Sequence, residues 1–335
     1  MTLSILIISY NCAGYIEKCL QSILQSGIQG GFEIIVVDNN STDGTRDVLQ
    51  RYTHVARIIY CDYNFGYSKA MNLAYRHSKG ELILTFNPDA ELTGDKINSA
   101  IKYLQDHDQV GMLAPYLIED SGDIHLPKIE LPRFGWPSLV GLFVNIYPKV
   151  KHPQSRPVKW LIGTGHLVKR ILLTSNAIYP ETTFLFWEEY YLCKQVKTQG
   201  KSIVLHKDYS ILHHKSVSFK FNMEKTTWVQ KMIIPFGFHV RAKEFGYISE
   251  TLSSLYRCVD AFLLFLVLLV LKYLLSKDKA ILRSTALINA KLYWQAIFMS
   301  FGNSVNIHKA AMVYFNSGQE PQYPIEAHSH TLDVS

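Results

Sequence analysis

Cysteine is scarce in this 335-residue chain, and no two of the five (Cys12, Cys19, Cys61, Cys193, Cys258) stand in C-x-x-C spacing. The odd number and the scatter exclude a disulfide framework and a zinc site of paired thiolates, and they fit a reducing compartment. No G-x-G-x-x-G follows the first apolar run, and no G-x-x-x-x-G-K-[ST] occurs anywhere. Both the dinucleotide-binding and the P-loop classes are therefore disfavoured. No basic stretch precedes the first apolar run, which reaches Ser9-Tyr10-Asn11 at once. It reads as a strand and not as a secretory signal. The uninterrupted apolar run Ala261 to Leu271 has 11 residues, short of the about 20 that a membrane-spanning helix needs. No nucleic-acid motif accompanies the basic C-terminal part, so nucleic acid is not an expected partner.

The apolar fraction is 48%, enough for a packed interior, and the length suggests one large domain with an extension. Aromatics reach 13%, with 20 Tyr. They suit sugar sites and membrane interfaces but also fill ordinary cores. Net charge is +6, and residues 220–309 carry 12 Lys/Arg against 5 Asp/Glu. The rest of the chain is near neutral. A basic, apolar C-terminal part suits an anionic membrane surface.

Strand and helix patterns alternate from the start. Residues 3–9 form an apolar, β-rich run. Helical spacing over 14–26 puts Tyr15, Ile16, Cys19, Leu20, Ile23 and Leu24 on one face. A second buried strand covers 32–37, a helix 45–52, a short strand 56–61, a helix 66–78 and a strand 81–86. Residues 97–107 read as a helix and 110–117 as a strand. Short links between alternating elements predict an α/β fold, a mostly parallel central sheet with helices on both faces. From 119 to 160 the pattern loosens around six prolines, as in a binding loop or a linker.

Polar residues gather at one place in each repeat. Ser9-Tyr10-Asn11, the stretch Asp38 to Asp43 with Asn40, Asn64 before Gly66, and Asn87-Pro88-Asp89 all fall at or just beyond strand C-termini. In open α/β sheets that edge is where ligands bind. Pro88 cannot continue a central strand, so Asp89 is expected just past a strand end. There it could hold a divalent metal that holds a sugar nucleotide's diphosphate. Alone, Pro-Asp is also an ordinary turn. Further on, Phe184 to Trp187 leads into Glu188-Glu189 at the start of a helix, where acids also simply complement the helix dipole. Residues 202–205 read as a strand, followed by Ile211 to Ser218, in which the pair His213-His214 is a metal or phosphate candidate.

In this order and spacing the motifs resemble the family 2 glycosyltransferases, in particular their bacterial rhamnosyltransferase-like branch. Ile8-Ser9-Tyr10-Asn11 is similar to the opening strand motif, Val37-Asp38-Asn39-Asn40-Ser41-Thr42-Asp43-Gly44-Thr45 to the nucleotide-binding turn, and Asn64 to Asn72 to the N-x-G-x(5)-N segment. Asn87-Pro88-Asp89 stands where the D-x-D motif lies, with Asn in place of its first acid. Phe186-Trp187-Glu188-Glu189 resembles the acidic base motif, usually Glu-Asp or Asp-Asp, and His213 to Ser218 the late histidine motif. Gly163-Thr164-Gly165-His166 is a less usual form of the loop near the acceptor. The match covers about the first two-thirds of the chain.

The resemblance implies a GT-A fold and a reaction that inverts the anomeric carbon. It implies Mg²⁺ or Mn²⁺ on Asp89 and His213. A UDP- or dTDP-sugar would contact Ser9, Tyr10, Asn11, Asp38, Asn40, Asp43, Asn64, Gly66, Asn72 and Asn87, with Asp38 reading the base. Glu189 would be the base, Glu188 would orient the acceptor, and Gly163, Thr164 and Trp187 would bind a glycan or lipid-linked glycan. Residues 1–220 would form the catalytic domain, divided into a donor half (1–117) and an acceptor half (118–220).

Residues 223–257 read as helical and amphipathic. With the run at 261–275 they form an extension (221–318) that either lies on the cytoplasmic leaflet or packs on the catalytic domain or across a homodimer. The expected location is the inner face of the cell membrane, attached peripherally. Residues 319–335 read as a disordered tail. A nucleotidyltransferase is a second class, though Tyr10-Asn11-Cys12-Ala13 is not its Gly-rich basic turn. An inactive glycan-binding relative is a third, kept open by Asn87.

Overall fold

Seven consecutive buried residues, Leu3–Ser9, form β1 at the centre of the sheet. Both faces of this strand are covered, which is why its sequence is nearly continuous in apolar residues. The computed structural model describes residues 2–127, 150–161, 163–174, 176–214, 223–270 and 278–317. The core of the irregular stretch, the later part of the histidine motif and the tail after 318 lie outside the described residues.

Strands β2 (Phe32–Asp38), β3 (Arg57–Tyr60) and β4 (Leu82–Phe86) run parallel to β1 through the pairs β1–β2, β2–β3 and β1–β4. Helices α1 (Ala13–Gln25), α2 (Thr45–Gln50) and α3 (Tyr67–Arg76) link them. Ile16, Leu20 and Ile23 of α1 pack with Leu3, Ile5 and Ile7 of β1 and with Leu84 and Phe86 of β4 in one core cluster. The chain continues through β5 (Ala90–Leu92), α4 (Lys96–Asp106), β6 (Val110–Ile118), β7 (Ile124–His125), β8 (Arg156–Val158), β9 (His166–Lys169), α5 (Glu188–Thr198) and β10 (Ser202–His213). The strand order is β3-β2-β1-β4-β9-β6-β10-β5, with β7 on β6 and β8 on β10.

Two features depart from the sequence reading. β9 lies antiparallel between β4 and β6, a direction that an apolar run cannot specify by itself. The two runs at 202–205 and 211 onward are one strand, β10, with a register shift between Leu205 and Ser210. The exposed Lys207 and Asp208 sit in that irregularity and mimic a loop in the sequence.

The described residues fall into two compact units. The first holds those within 2–127, 150–184 and 188–214; the second holds 185–187, 223–270 and 278–317. The second contains helices α6 (Met223–Phe245), α7 (Tyr247–Val270), α8 (Asp278–Phe298) and α9 (Phe301–Ser317). The helical stretch expected over 223–257 is divided at Gly246, whose φ of +89° is a left-handed conformation that ends α6. Ile234 and Phe238 of α6 pack with Leu292, Ala296 and Ile297 of α8. Inside this unit Glu250 is buried and accepts bonds from Arg241 Nε and Arg257 Nη1, each at 2.8 Å. No helix among the described residues is long and apolar enough to cross a membrane.

Candidate active site

The ends of β1 and β2 are tied together by side chains and not only by the ladder. Ser9 pairs in register with Asp38, and its hydroxyl donates to Asp38 Oδ1 at 3.2 Å. Asp38 is fully buried and also receives Arg46 Nε at 2.7 Å and the Ser41 N–H at 3.2 Å. Arg46 reaches on to Cys61 O at 2.8 Å and Asn40 Oδ1 at 3.3 Å, and it covers the Tyr60 ring. Asn11 and Asn40 both adopt positive φ, 50° and 66°, as Asn does more readily than other side chains. Asn11 Oδ1 accepts the Thr42 N–H at 2.8 Å, while Asp43 accepts the N–H groups of Ala13 and Thr45. Burial alone would raise the Asp43 pKa, but these bonds outweigh it and lower it. Tyr10 is half-buried on the same turn. The loop expected to hold a nucleotide is thus built around Asp38, and Arg46, which the sequence reading did not single out, is its counter-charge.

Asn64 Oδ1 accepts Asn39 Nδ2 and the Gly66 N–H, each at 2.8 Å. Gly66 has φ of +80°, and a Cβ there would collide with the Phe184 carbonyl and ring. The adjacent Tyr67 N–H donates to that carbonyl at 2.7 Å. Gly66→Ala combines a left-handed backbone cost of about 1–2 kcal/mol with a backbone clash. We expect a total loss near 3 kcal/mol, read as a drop of roughly 6–12 °C in the first thermal transition. Asn72 faces inward: its amide binds the backbone of residues 178 and 179 through Tyr179 O and the two N–H groups. Both ends of the amide are engaged by backbone, and the residue is fully buried.

Antiparallel pairing of β5 and β10 sets His213 opposite Ala90, and the His214 N–H donates to Asp89 O. His213 Nε2 therefore comes to 3.5 Å from Asp89 Oδ1. That nitrogen is buried and makes no hydrogen bond. One carboxylate and one imidazole converging in this way fit a divalent cation. Mg²⁺-type sites commonly use one or two protein ligands and take the rest from phosphate and water. No group of three or more acidic, His or Cys side chains able to hold a metal occurs among the described residues. The neighbouring His214 is held at 2.6 Å by Glu91 and by Asp120. Burial would lower its pKa, but these two acids outweigh it and raise it.

Helix α5 opens with the two acids. Phe186 and Trp187, just before it, both have positive φ, 72° and 71°, a strain of about 1–3 kcal/mol per residue. Glu188 is buried, and burial first and the Glu189 charge second raise its pKa well above the usual carboxylate range. Glu189 is partly exposed and accepts the Gly163 N–H at 3.3 Å. The next residue, Thr164, accepts the Asn87 N–H on its hydroxyl at 2.8 Å. Residues 163 and 164 thereby touch the acid pair on one side and the Asn87-Pro88-Asp89 turn on the other. Tyr67 lies within electrostatic reach of all three acids. Burial and then Glu188, Glu189 and Asp89 hold its pKa well above the ordinary phenol value, so it stays a hydrogen-bond donor. Its sequence context, the residue directly after Gly66, gave no signal for this role. Trp187 belongs to the helical unit. Its indole N–H donates to Ile233 O at 2.9 Å, and a Cβ on Gly237 would strike the indole ring.

A family model described as "Glycosyl transferase family 2" matches residues 4–173, which hold all the strand-end groups from Ser9 to Thr164. The chain belongs to glycosyl transferase family 2. Among its relatives in the family, N-acetylglucosaminyl-diphospho-decaprenol L-rhamnosyltransferase of Mycobacterium tuberculosis is 25% identical over 239 residues, 64% of this chain and 77% of that protein. Poly(ribitol-phosphate) beta-N-acetylglucosaminyltransferase TarS of Staphylococcus aureus is 26% identical over 54% of this chain, which spans only 30% of that protein's length. This family 2 transferase has the GT-A fold. It is similar in fold to S. aureus TarS 1-349 in complex with UDP-GlcNAc, with a TM-score of 0.52, 15% identity, and 95% of this chain and 93% of that one covered. It is also similar to the mannosyltransferase PcManGT of Pyrobaculum calidifontis in complex with GDP-Man and Mn2+, with a TM-score of 0.52, 16% identity, and coverage of 93% and 87%.

Proposed function

We propose that the chain moves a sugar, with inversion, from a nucleoside-diphosphate sugar to a hydroxyl of a glycan or lipid-linked glycan in cell-surface polysaccharide synthesis. The observation that carries this reading is the convergence of Asp89, Glu188 and Glu189 on Tyr67, with residues 163–164 joining the two acidic segments. Residues 1–117 serve the donor, 118–220 the acceptor, and 221–318 form a helical extension. Asp89 and His213 hold Mg²⁺ or Mn²⁺, which when bound supplies positive charge against the departing diphosphate.

Glu189 accepts the proton of the acceptor hydroxyl as its oxygen bonds to the anomeric carbon. The bond from that carbon to the diphosphate oxygen breaks on the opposite face, and the electron pair leaves with the diphosphate. Glu188 orients the acceptor; burial first and the Glu189 charge second raise its pKa well above the usual carboxylate range. The name of the M. tuberculosis relative supports rhamnose as the sugar and a polyprenyl-diphosphate glycan as the acceptor. On this reading the chain works at the inner face of the cell membrane. Family membership removes the nucleotidyltransferase alternative.

Melting the protein with Mn²⁺ and a panel of dTDP-rhamnose, UDP-GlcNAc and GDP-mannose tests the donor. A donor at 100 times its Kd stabilises by about 2.7 kcal/mol, and dTDP-rhamnose is expected to rank first. No shift with any sugar nucleotide would overturn the reading.

A further inference from the structure

Helix α7 is inverted. From Tyr247 to Leu266 every exposed side chain is large and apolar: Tyr247, Ile248, Leu252, Tyr256, Val259, Phe262, Leu263 and Leu266. All three charged residues of the same stretch, Glu250, Arg257 and Asp260, are buried. A helix on a water-facing surface shows the opposite arrangement. Ile248 is 77% exposed, against 1% for Glu250 two residues on. The inward charges fix this orientation, because Glu250 is the acceptor for both Arg241 and Arg257. Turning the apolar face inward would tear that pairing apart. Helix α8 of the same unit adds an exposed row at helical spacing, Leu287, Lys291, Trp294 and Phe298, the last 75% exposed.

We infer that the outer faces of α7 and α8 are the surface by which the chain enters an anionic lipid leaflet. The charge pattern selects this occupant. Residues 261–309 carry six Lys/Arg and one Asp/Glu. Anionic headgroups complement this basic segment, and the exposed row of α8 itself carries Lys291. Trp294 next to Lys291 on an apolar row is the arrangement that interfacial helices show, the ring at headgroup depth and the ammonium reaching outward. The inference rests on the membrane reading above and names the face that carries it out.

Flotation of the full chain with vesicles of phosphatidylglycerol or of phosphatidylcholine tests it, with no transfer activity needed. The wild type is expected to float with phosphatidylglycerol. A Leu252→Glu/Val259→Glu variant, altered only at exposed positions, is expected to partition at least tenfold more weakly while keeping its helical circular dichroism. As a second measurement, brominated lipid should quench the wild type more than Trp294→Phe. A wild type that stays at the bottom of the gradient overturns both the inference and the membrane reading. A variant that floats like the wild type, with equal quenching in Trp294→Phe, overturns the inference alone. A wild-type dimer in solution that the double variant splits, with flotation unchanged, assigns the face to a second copy and overturns it as well.

Discussion

Glu189→Gln is expected to lower the rate of sugar transfer by roughly 10²–10⁴-fold and to leave donor affinity as it was. The substitution keeps the side-chain length, and an amide oxygen can still accept the Gly163 N–H. What it removes is the capacity to take a proton from the acceptor. Single-turnover transfer and calorimetric titration of the donor separate the two effects. Glu188→Gln is the informative partner. Burial and the neighbouring charge raise the Glu188 pKa well above the usual carboxylate range and so disfavour its charged form, which makes a neutral amide the milder change there. Its effect should be less than about tenfold, on the scale of one lost orienting hydrogen bond. If the Glu188 variant is the dead one and the Glu189 variant transfers normally, the two roles are exchanged.

Asp89→Asn is expected to abolish metal-dependent donor binding, and His213→Ala to weaken it. A Lewis-acidic cation is worth several kcal/mol to a departing oxyanion, so transfer should fall by roughly 10²–10⁴-fold. The measurement is donor affinity with Mn²⁺ and with chelator present. The wild type should lose affinity when the metal is removed, and Asp89→Asn should be weak in both conditions. The geometry gives the reason for the difference between the variants. Asp89 brings a carboxylate, while His213 brings an imidazole nitrogen set 3.5 Å away by the β5–β10 pairing. A Mn²⁺ effect on donor affinity that survives in Asp89→Asn would move the metal elsewhere.

Much of the first unit was legible in the chain. Strands covered on both faces write themselves as apolar runs, as in Leu3–Ser9, and the polar residue after each run marks the ligand edge of the sheet. What the runs could not carry is direction and pairing. Asp89 and His213 meet only because β5 and β10 are antiparallel, and Arg46 finds Asp38 through a loop whose shape depends on Asn11 and Asn40 at positive φ. The backbone partners of Asn72 at residues 178 and 179 were not legible either, because the spacing of a motif does not say which way an amide turns. Tyr67 was overlooked for the converse reason: its importance comes from three distant acids and not from its neighbours in sequence. In the helical extension α7 carries charged and apolar residues on different sides. Ordinary experience then assigns the charged side to water, and here that side is buried.

The adjacent pair Gly163 and Thr164 has a bearing on the order of events. The Gly163 N–H donates to Glu189, and the next residue, Thr164, accepts the N–H of Asn87 in the turn that carries Asp89. Two neighbours on a chain cannot move independently by more than a peptide bond allows. On the proposed function, seating of the donor would reach Glu189 through this backbone, and initial-rate kinetics are expected to show the nucleotide binding first and the alcohol second.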